Sequence, residues 1–154
     1  MFLRCGRDML IANNTFYDME SFLFSLGYDS GNYSSSIDGM RIVNNVAYMH
    51  DSLIYGVVSS VPPTVQVDHN LVHSETGYIG RWPGMGQTRS LATFRSWSGF
   101  EPNGIDADPG FADADAFDFR LRAGSPAVDA GTVVPGVTDG ATGAAPDLGA
   151  FERP

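Results

Sequence analysis

The chain writes one short pattern three times, and that repetition decides most of what it can fold into. Met9-Leu10-Ile11-Ala12-Asn13-Asn14-Thr15-Phe16-Tyr17 is the first copy and Met40-Arg41-Ile42-Val43-Asn44-Asn45-Val46-Ala47-Tyr48 the second. Val65-Gln66-Val67-Asp68-His69-Asn70-Leu71-Val72-His73 is a more worn third. Each sets an aliphatic residue three positions before an Asn and an apolar residue two positions after it: Ile11/Asn14/Phe16, Ile42/Asn45/Ala47 and Val67/Asn70/Val72. The Asn-to-Asn spacing is 31 and then 25 residues (45 − 14 and 70 − 45). A constant kernel at unequal spacing belongs to a solenoid whose repeats are joined by loops of variable length.

Composition supports strands over helices. Gly accounts for 18 of the 154 residues, charged residues for only 18%, and Lys is absent. Such a chain is poor in helix formers and rich in turn and strand formers. Its length suits one domain with a sizeable core.

Within each kernel, Ile11 and Phe16 and their counterparts are expected to point inward. The Asn is expected at a bend between two short strands, where it tolerates left-handed backbone. Stacked repeats would bring Asn14, Asn45 and Asn70 above one another, with their amides bonded as a ladder. The register continues downstream. Eight residues after each Asn stand Phe22, Leu53 and Tyr78; the next columns are Leu23/Ile54/Ile79 and Phe24/Tyr55/Gly80. The aliphatic column is assigned to the core, and strand alternation then assigns Phe24, Tyr55 and Tyr78 to an exposed aromatic strip. Loops Gly27–Asp38, Val57–Pro63 and Arg81–Gln87 separate the repeats and would emerge on one side as a binding face.

From Leu91 the pattern changes. Leu91–Trp97 suits a short helix or turn. Gly104–Phe111, Asp118–Leu121, Gly124–Gly131 and Pro146–Glu152 are short, punctuated by Gly and Pro, and suited to closing the end of a stack. The organisation expected is one domain over 1–154: residues 1–8 as an N-terminal cap or the remnant of an earlier coil, 9–90 as coils, and 91–154 as last coil and C-terminal cap.

The pieces Asp108-Pro109-Gly110-Phe111, Asp118-Phe119-Arg120-Leu121, Gly124-Ser125-Pro126-Ala127-Val128-Asp129-Ala130-Gly131 and Asp147-Leu148-Gly149-Ala150-Phe151-Glu152 stand in that order. Together with the kernels they resemble the C-terminal region of bacterial right-handed parallel β-helix proteins of the pectate-lyase-like kind. The resemblance covers the chain from about residue 9 onward. It implies an all-β fold, a short right-handed parallel β-helix of about three to four coils with a C-terminal cap. It also implies relatives that are usually secreted and that include lyases and hydrolases of acidic polysaccharides, adhesion modules and proteins without known activity. The chain departs from the familiar members in having few coils.

Net charge is −9, and all nine basic residues are Arg. An acidic surface argues against nucleic acid and against anionic membranes as partners. The single cysteine, Cys5, precludes an intramolecular disulfide and leaves the compartment open. Charge interrupts the apolar run at Met1–Asp8 at once, unlike a secretory signal, and no apolar run is long enough to span a membrane.

The chemistry-bearing residues form three groups. His50 and His73, near strand ends in adjacent repeats with Glu75 and Asp51 close by, and Arg81 on the following loop, are the catalytic candidates; the alternative is that the histidines are surface or turn residues. Phe24, Tyr55, Tyr78, Arg81 and Trp82 are the substrate-binding candidates: aromatic faces stack on sugars and Arg forks a carboxylate or sulfate. The alternative is that loops fold over these aromatics and bury them. The pair Glu20/Asp51 is a further carboxylate pair at neighbouring levels. The acidic run Asp106, Asp108, Asp113, Asp115 and Asp118 invites Ca²⁺, but it lacks a Ca²⁺-loop pattern and reads as turn formers and backbone acceptors, so no metal is assigned.

Two functions therefore compete. One is a non-catalytic carbohydrate-binding protein or structural remnant of a polysaccharide-processing protein. The other is a small lyase or hydrolase acting on an acidic glycan. An uncapped first coil would also favour a homo-oligomer.

Overall fold

The computed structural model describes residues 2–3, 7–19, 22–26, 37–57 and 61–153. It is mostly short strands in parallel sheets. Strand β1 (Phe2–Leu3) comes first. The first repeat contributes β2 (Leu10–Ala12), β3 (Thr15–Tyr17) and β4 (Phe22–Leu26). The second contributes β5 (Arg41–Val43), β6 (Val46–Met49) and β7 (Leu53–Val57). The third contributes β8 (Gln66–Asp68), β9 (Leu71–Ser74) and β10 (Tyr78–Trp82). Then follow β11 (Gly86–Thr88), helix α1 (Leu91–Ser98), β12 (Ile105–Asp106), and a hairpin of β13 (Phe111–Asp113) and β14 (Asp118–Leu121).

Each strand of a repeat pairs in parallel with its counterpart in the next. The orders are β2-β5-β8, β3-β6-β9-β12 and β1-β4-β7-β10, with β11 added antiparallel to β10. The register matches the columns of the sequence: Ile11 faces Ile42 and Ile42 faces Val67, Phe16 faces Ala47 and Ala47 faces Val72. Phe22 and Tyr78 both register with Leu53, and Phe24 and Gly80 both with Tyr55.

The corner between the first two strands of each repeat divides its work between two residues. The left-handed backbone falls on Asn13 (φ 52°), Asn44 (φ 57°) and His69 (φ 51°), one position earlier than the kernel Asn. That is why the dipeptide is Asn-Asn and why His is tolerated in the worn copy: small or polar residues adopt this conformation at least cost. The second Asn makes the ladder. Asn14 donates its backbone N–H and its amide to Asn45 Oδ1, both at 3.0 Å. Asn45 repeats both bonds to Asn70 Oδ1 at 2.9 Å. The Asn45 amide also caps the Ile11 and Val43 carbonyls, and that of Asn70 caps Ile42 and Asp68. Asn45 and Asn70 are buried, so these bonds satisfy backbone groups that water cannot reach.

The expected outward strip is corrected. Phe24 and Tyr55 are 1% and 0% exposed and point between the sheets. The Phe24 ring meets Phe16 edge-on at 5.4 Å, and Tyr55 stacks between Phe24 (5.7 Å) and Phe94 (5.4 Å). Leu23, Ile54 and Ile79, on the opposite face of the same strands, are also buried, as usual for a parallel sheet covered on both sides. With both columns apolar, alternation alone could not say which faces inward.

Helix α1 closes the downstream end. Ser90 caps it by accepting the Thr93 N–H, and Gly99 (φ 73°) ends it in left-handed conformation. Its Phe94 is fully buried. Residues 122–153 carry no strand and run back along the side of the stack. They reach the first repeat through Asn13 Nδ2 to Asp147 O (3.2 Å) and Ala150 N–H to Thr15 Oγ1 (3.1 Å). The tail thus clamps the flank where an end cap was expected. Its recurrent motifs are backbone fasteners. Asp129 accepts from Ala144 and Ala145 N–H, and buried Asp147 accepts from Asp129 and Arg153 N–H. Gly149 (φ 89°) lies where a Cβ would come within 2.8 Å of Thr15 Oγ1.

A second apolar cluster lies on the outer face of β6 and β9. Val46 and Leu71 are covered there by Phe111, Leu121, Ala127 and Leu148. The β13–β14 hairpin packs over the rest of that face, with Phe117 and Phe119 against Tyr17 and Phe111 against Tyr48.

Candidate functional site

In β3, β6 and β9, the inward residues are Phe16, Ala47 and Val72. Period-2 alternation turns their neighbours Tyr17, Tyr48 and His73 outward. These three share one column, each three positions after its kernel Asn. Their rings stack along the pile: Tyr17 on Tyr48 at 5.7 Å and Tyr48 on His73 at 5.4 Å. Phe119 and Phe117 of the β13–β14 hairpin flank Tyr17 at 5.1 and 6.1 Å, and Phe111 meets Tyr48 edge-on at 6.2 Å. Phe117 holds positive φ (58°) and leaves 72% of itself exposed.

Polar groups line the column. The Tyr48 hydroxyl donates to Glu75 Oε1 at 2.8 Å. His50 Nδ1 lies 3.0 Å from Asp18 Oδ1, and its Nε2 lies 3.8 Å from the same Glu75 oxygen. Asp18, His50, Glu75 and Tyr48 therefore form one chain of carboxylate, imidazole, carboxylate and phenol. All three ionisable side chains beside Tyr48 are about half exposed. Burial, then the hydrogen bond and charge of Glu75, push the Tyr48 hydroxyl up to about 12. Tyr17 is likewise raised, by burial first and then by the carboxylates of Asp115, Asp18 and Glu75. Both phenols stay protonated donors at neutral pH. Beside Tyr48 opens a cavity of about 260 Å³ lined by Asp108, Phe111, Asp113, Asp115 and Arg122.

The structure brings His50, His73 and Glu75 together on this face. Asp51 is exposed one residue further on, and Glu20 lies outside the described residues. Arg81 is exposed on β10, in another sheet. Trp82 is half-buried edge-on to Phe94 and Phe100, and Tyr78 lies under the Arg89 guanidinium, 5.1 Å from its ring centre. With Phe24 and Tyr55 in the core, the five substrate-binding candidates make no common surface. Tyr17 and Tyr48 were missed, although their shared column with His73 was legible in the kernel itself.

In the acidic run, Asp108, Asp113 and Asp118 accept the N–H groups of Gly110, Ala116 and Arg120, the turn role expected of them. Arg120 also pairs with Asp118 and holds its carboxyl down at about 2. Among the described residues no three His, Cys, Asp or Glu side chains converge to hold a metal. No helix of the described residues is long and apolar enough to cross a membrane. Family models, curated proteins and solved structures offer no match to this chain.

Proposed function

We propose that the chain is a short right-handed parallel β-helix that binds saccharide on the outer face of β3, β6 and β9 without turning it over. The coil reading is supported by three strands per repeat returning to the same three sheets, and right-handedness by the general preference of parallel crossovers. The observation that carries the binding reading is the Tyr17/Tyr48/His73 column with its hydroxyl edges, carboxylates and the free face of Phe117. Hydroxyls and carboxylates hydrogen-bond sugar hydroxyls, and an exposed aromatic face packs on a sugar ring. Carboxylates outnumber cations here, so a neutral saccharide suits the face better than the acidic glycan of the family resemblance. Calorimetric titration with neutral and uronic-acid oligosaccharides tests this. Binding of neutral chains, lost in Tyr48→Ala, is expected; binding of uronates alone, or of nothing, would overturn it.

One observation favours a second reading, hydrolysis. His50 sits between Asp18 and Glu75, and Glu75 holds a phenol, which is an acid–base set. Release of reducing ends from the bound saccharide, abolished in His50→Gln, would establish it. Elimination with His50, His73 and Arg81 has less support, because Arg81 stands on a different sheet.

We also infer a homo-oligomer. Among the described residues β2 and β3 are paired on one side only, whereas β1 extends the third sheet one level further. Leu10 is 43% exposed at that edge. Two copies meeting there would pair the open backbone groups. Sedimentation at tens of micromolar should show a dimer; a clean monomer would exclude it.

A further inference from the structure

The Asn ladder ends on a carboxylate. Glu101 is fully buried with left-handed backbone (φ 57°), and its Oε1 accepts the Asn70 amide at 2.7 Å while Oε2 accepts the Asn70 N–H at 3.2 Å. Glu101 thus takes the place that the next Asn would fill. The backbone at that level is Gly104, one residue before Ile105 pairs with Leu71, and a Cβ on Gly104 would collide with the Glu101 carboxylate. A third donor, the Tyr55 hydroxyl, reaches Oε1 from β7.

Apart from Tyr55, the charged and titratable groups around this carboxyl are otherwise engaged. Arg95 of α1 turns its guanidinium to the Glu101 and Gly104 carbonyls. Asp68 of β8 accepts from Asn103 N–H (2.8 Å) and Nδ2 (2.9 Å), and His69 Nδ1 lies 3.1 Å from it. Glu101 is therefore a fully buried carboxyl with three donors and, among the described residues, no facing cation. Burial is the larger effect and pushes it up to about 7, with the donors from Tyr55 and Asn70 pulling the other way.

We propose that Glu101 is a proton-responsive latch that fastens residues 91–104 over the end of the stack and holds them most firmly when its carboxyl is protonated. The segment carries the elements that seal the end: Phe94 in the core, the Glu101 N–H on the Val67 carbonyl, Asn103 on Asp68, and the Glu101 carboxyl on the ladder, while Arg95 braces the segment internally through the Glu101 and Gly104 carbonyls. An opened segment returns the carboxyl to water, where it ionises at its ordinary value near 4.5. Docking is then strongest below that value, weakens as pH rises from about 4.5 to about 7, and is constant above.

Hydrogen exchange of α1, corrected for the intrinsic rate, tests the latch. From pH 5 to pH 8 the opening constant of 91–104 should rise on the order of a hundredfold, the equivalent of a shift of about two units. In Glu101→Gln the rise should vanish while α1 stays protected. In His69→Gln, which removes the nearest histidine, it should persist. A pH-independent opening in the native chain, a rise retained in Glu101→Gln, or one lost in His69→Gln would each overturn the proposal. Should Glu101→Gln not fold, carboxyl-carbon chemical shifts of the native chain decide. A Glu101 midpoint near 7 supports the latch, and one near 4.5 overturns it.

Discussion

The ring of Phe94 fills the space that Gly80 leaves empty. Gly80 continues the column of Phe24 and Tyr55, and a Cβ on it would fall within the Phe94 ring. The third repeat thus gives up its own aromatic, and α1 returns one from outside the strand, stacked on Tyr55 with an interplanar angle of 5°. Gly80→Ala should cost about 1–3 kcal/mol by overpacking. Phe94→Ala should cost about 3–5 kcal/mol, since a buried aromatic leaves a cavity beside Tyr55. Urea denaturation measures both; a neutral Gly80→Ala would show that α1 can shift without loss.

The ladder predicts a graded response to one substitution. Asn45 is buried and serves two backbone carbonyls, the Asn14 donors above and Asn70 below. Asn45→Ala strands several of these groups at about 1–3 kcal/mol each, so a loss of about 3 kcal/mol or more is expected. Asn14 is exposed at the outer rung, where water can replace its partners, and Asn14→Ala should cost under about 1 kcal/mol. Equal losses at the two positions would mean that the ladder is not the source of the difference.

The kernel made the strand pairing legible because stacked repeats force identical positions into register, so Ile11, Ile42 and Val67 could be aligned by counting. The facing of β4 and β7 was not legible, because a doubly covered strand has no polar face to reveal its direction. The end of the stack was hidden for another reason. Phe94 and Glu101 occupy columns to which their own backbone does not belong, and no periodicity marks a side chain that enters from an insertion. At the site, His50, His73 and Glu75 could be drawn together from adjacent strand ends. Tyr17 and Tyr48 stand at the same offset as His73, three positions after the kernel Asn, and were legible by the same counting.

Two faces were candidates for binding, and substitutions separate them. Tyr48→Ala removes the middle ring of the outer column and the partner of Glu75. Affinity for a neutral oligosaccharide should fall at least tenfold, about 1.4 kcal/mol. Arg81→Ala, on β10, should leave that affinity unchanged within twofold. Calorimetry of both variants checks this, and the reverse pattern would move the site to the sheet of β10.

The phenol of Tyr48 provides a pH readout of the same face. Its pKa is raised from the usual 10 to about 12, by burial first and by Glu75 second. A folded-state value above the unfolded one favours the protonated form, so its contribution to stability is complete below pH 10 and is lost as pH rises towards 12. Tyr48 is half-buried with its hydroxyl beside the half-exposed Glu75, and screening by solvent should keep the effect on stability modest. The titration itself is the sharper measure. Glu75→Gln removes the carboxylate charge but keeps a hydrogen-bond acceptor, so the Tyr48 midpoint, followed by phenolate absorbance against a Tyr48→Phe control, should move down towards 10 while part of the shift due to burial remains. An unchanged midpoint would show that the Glu75 charge does not reach the ring, and the acid–base chain from Asp18 to Tyr48 would then have no electrical continuity.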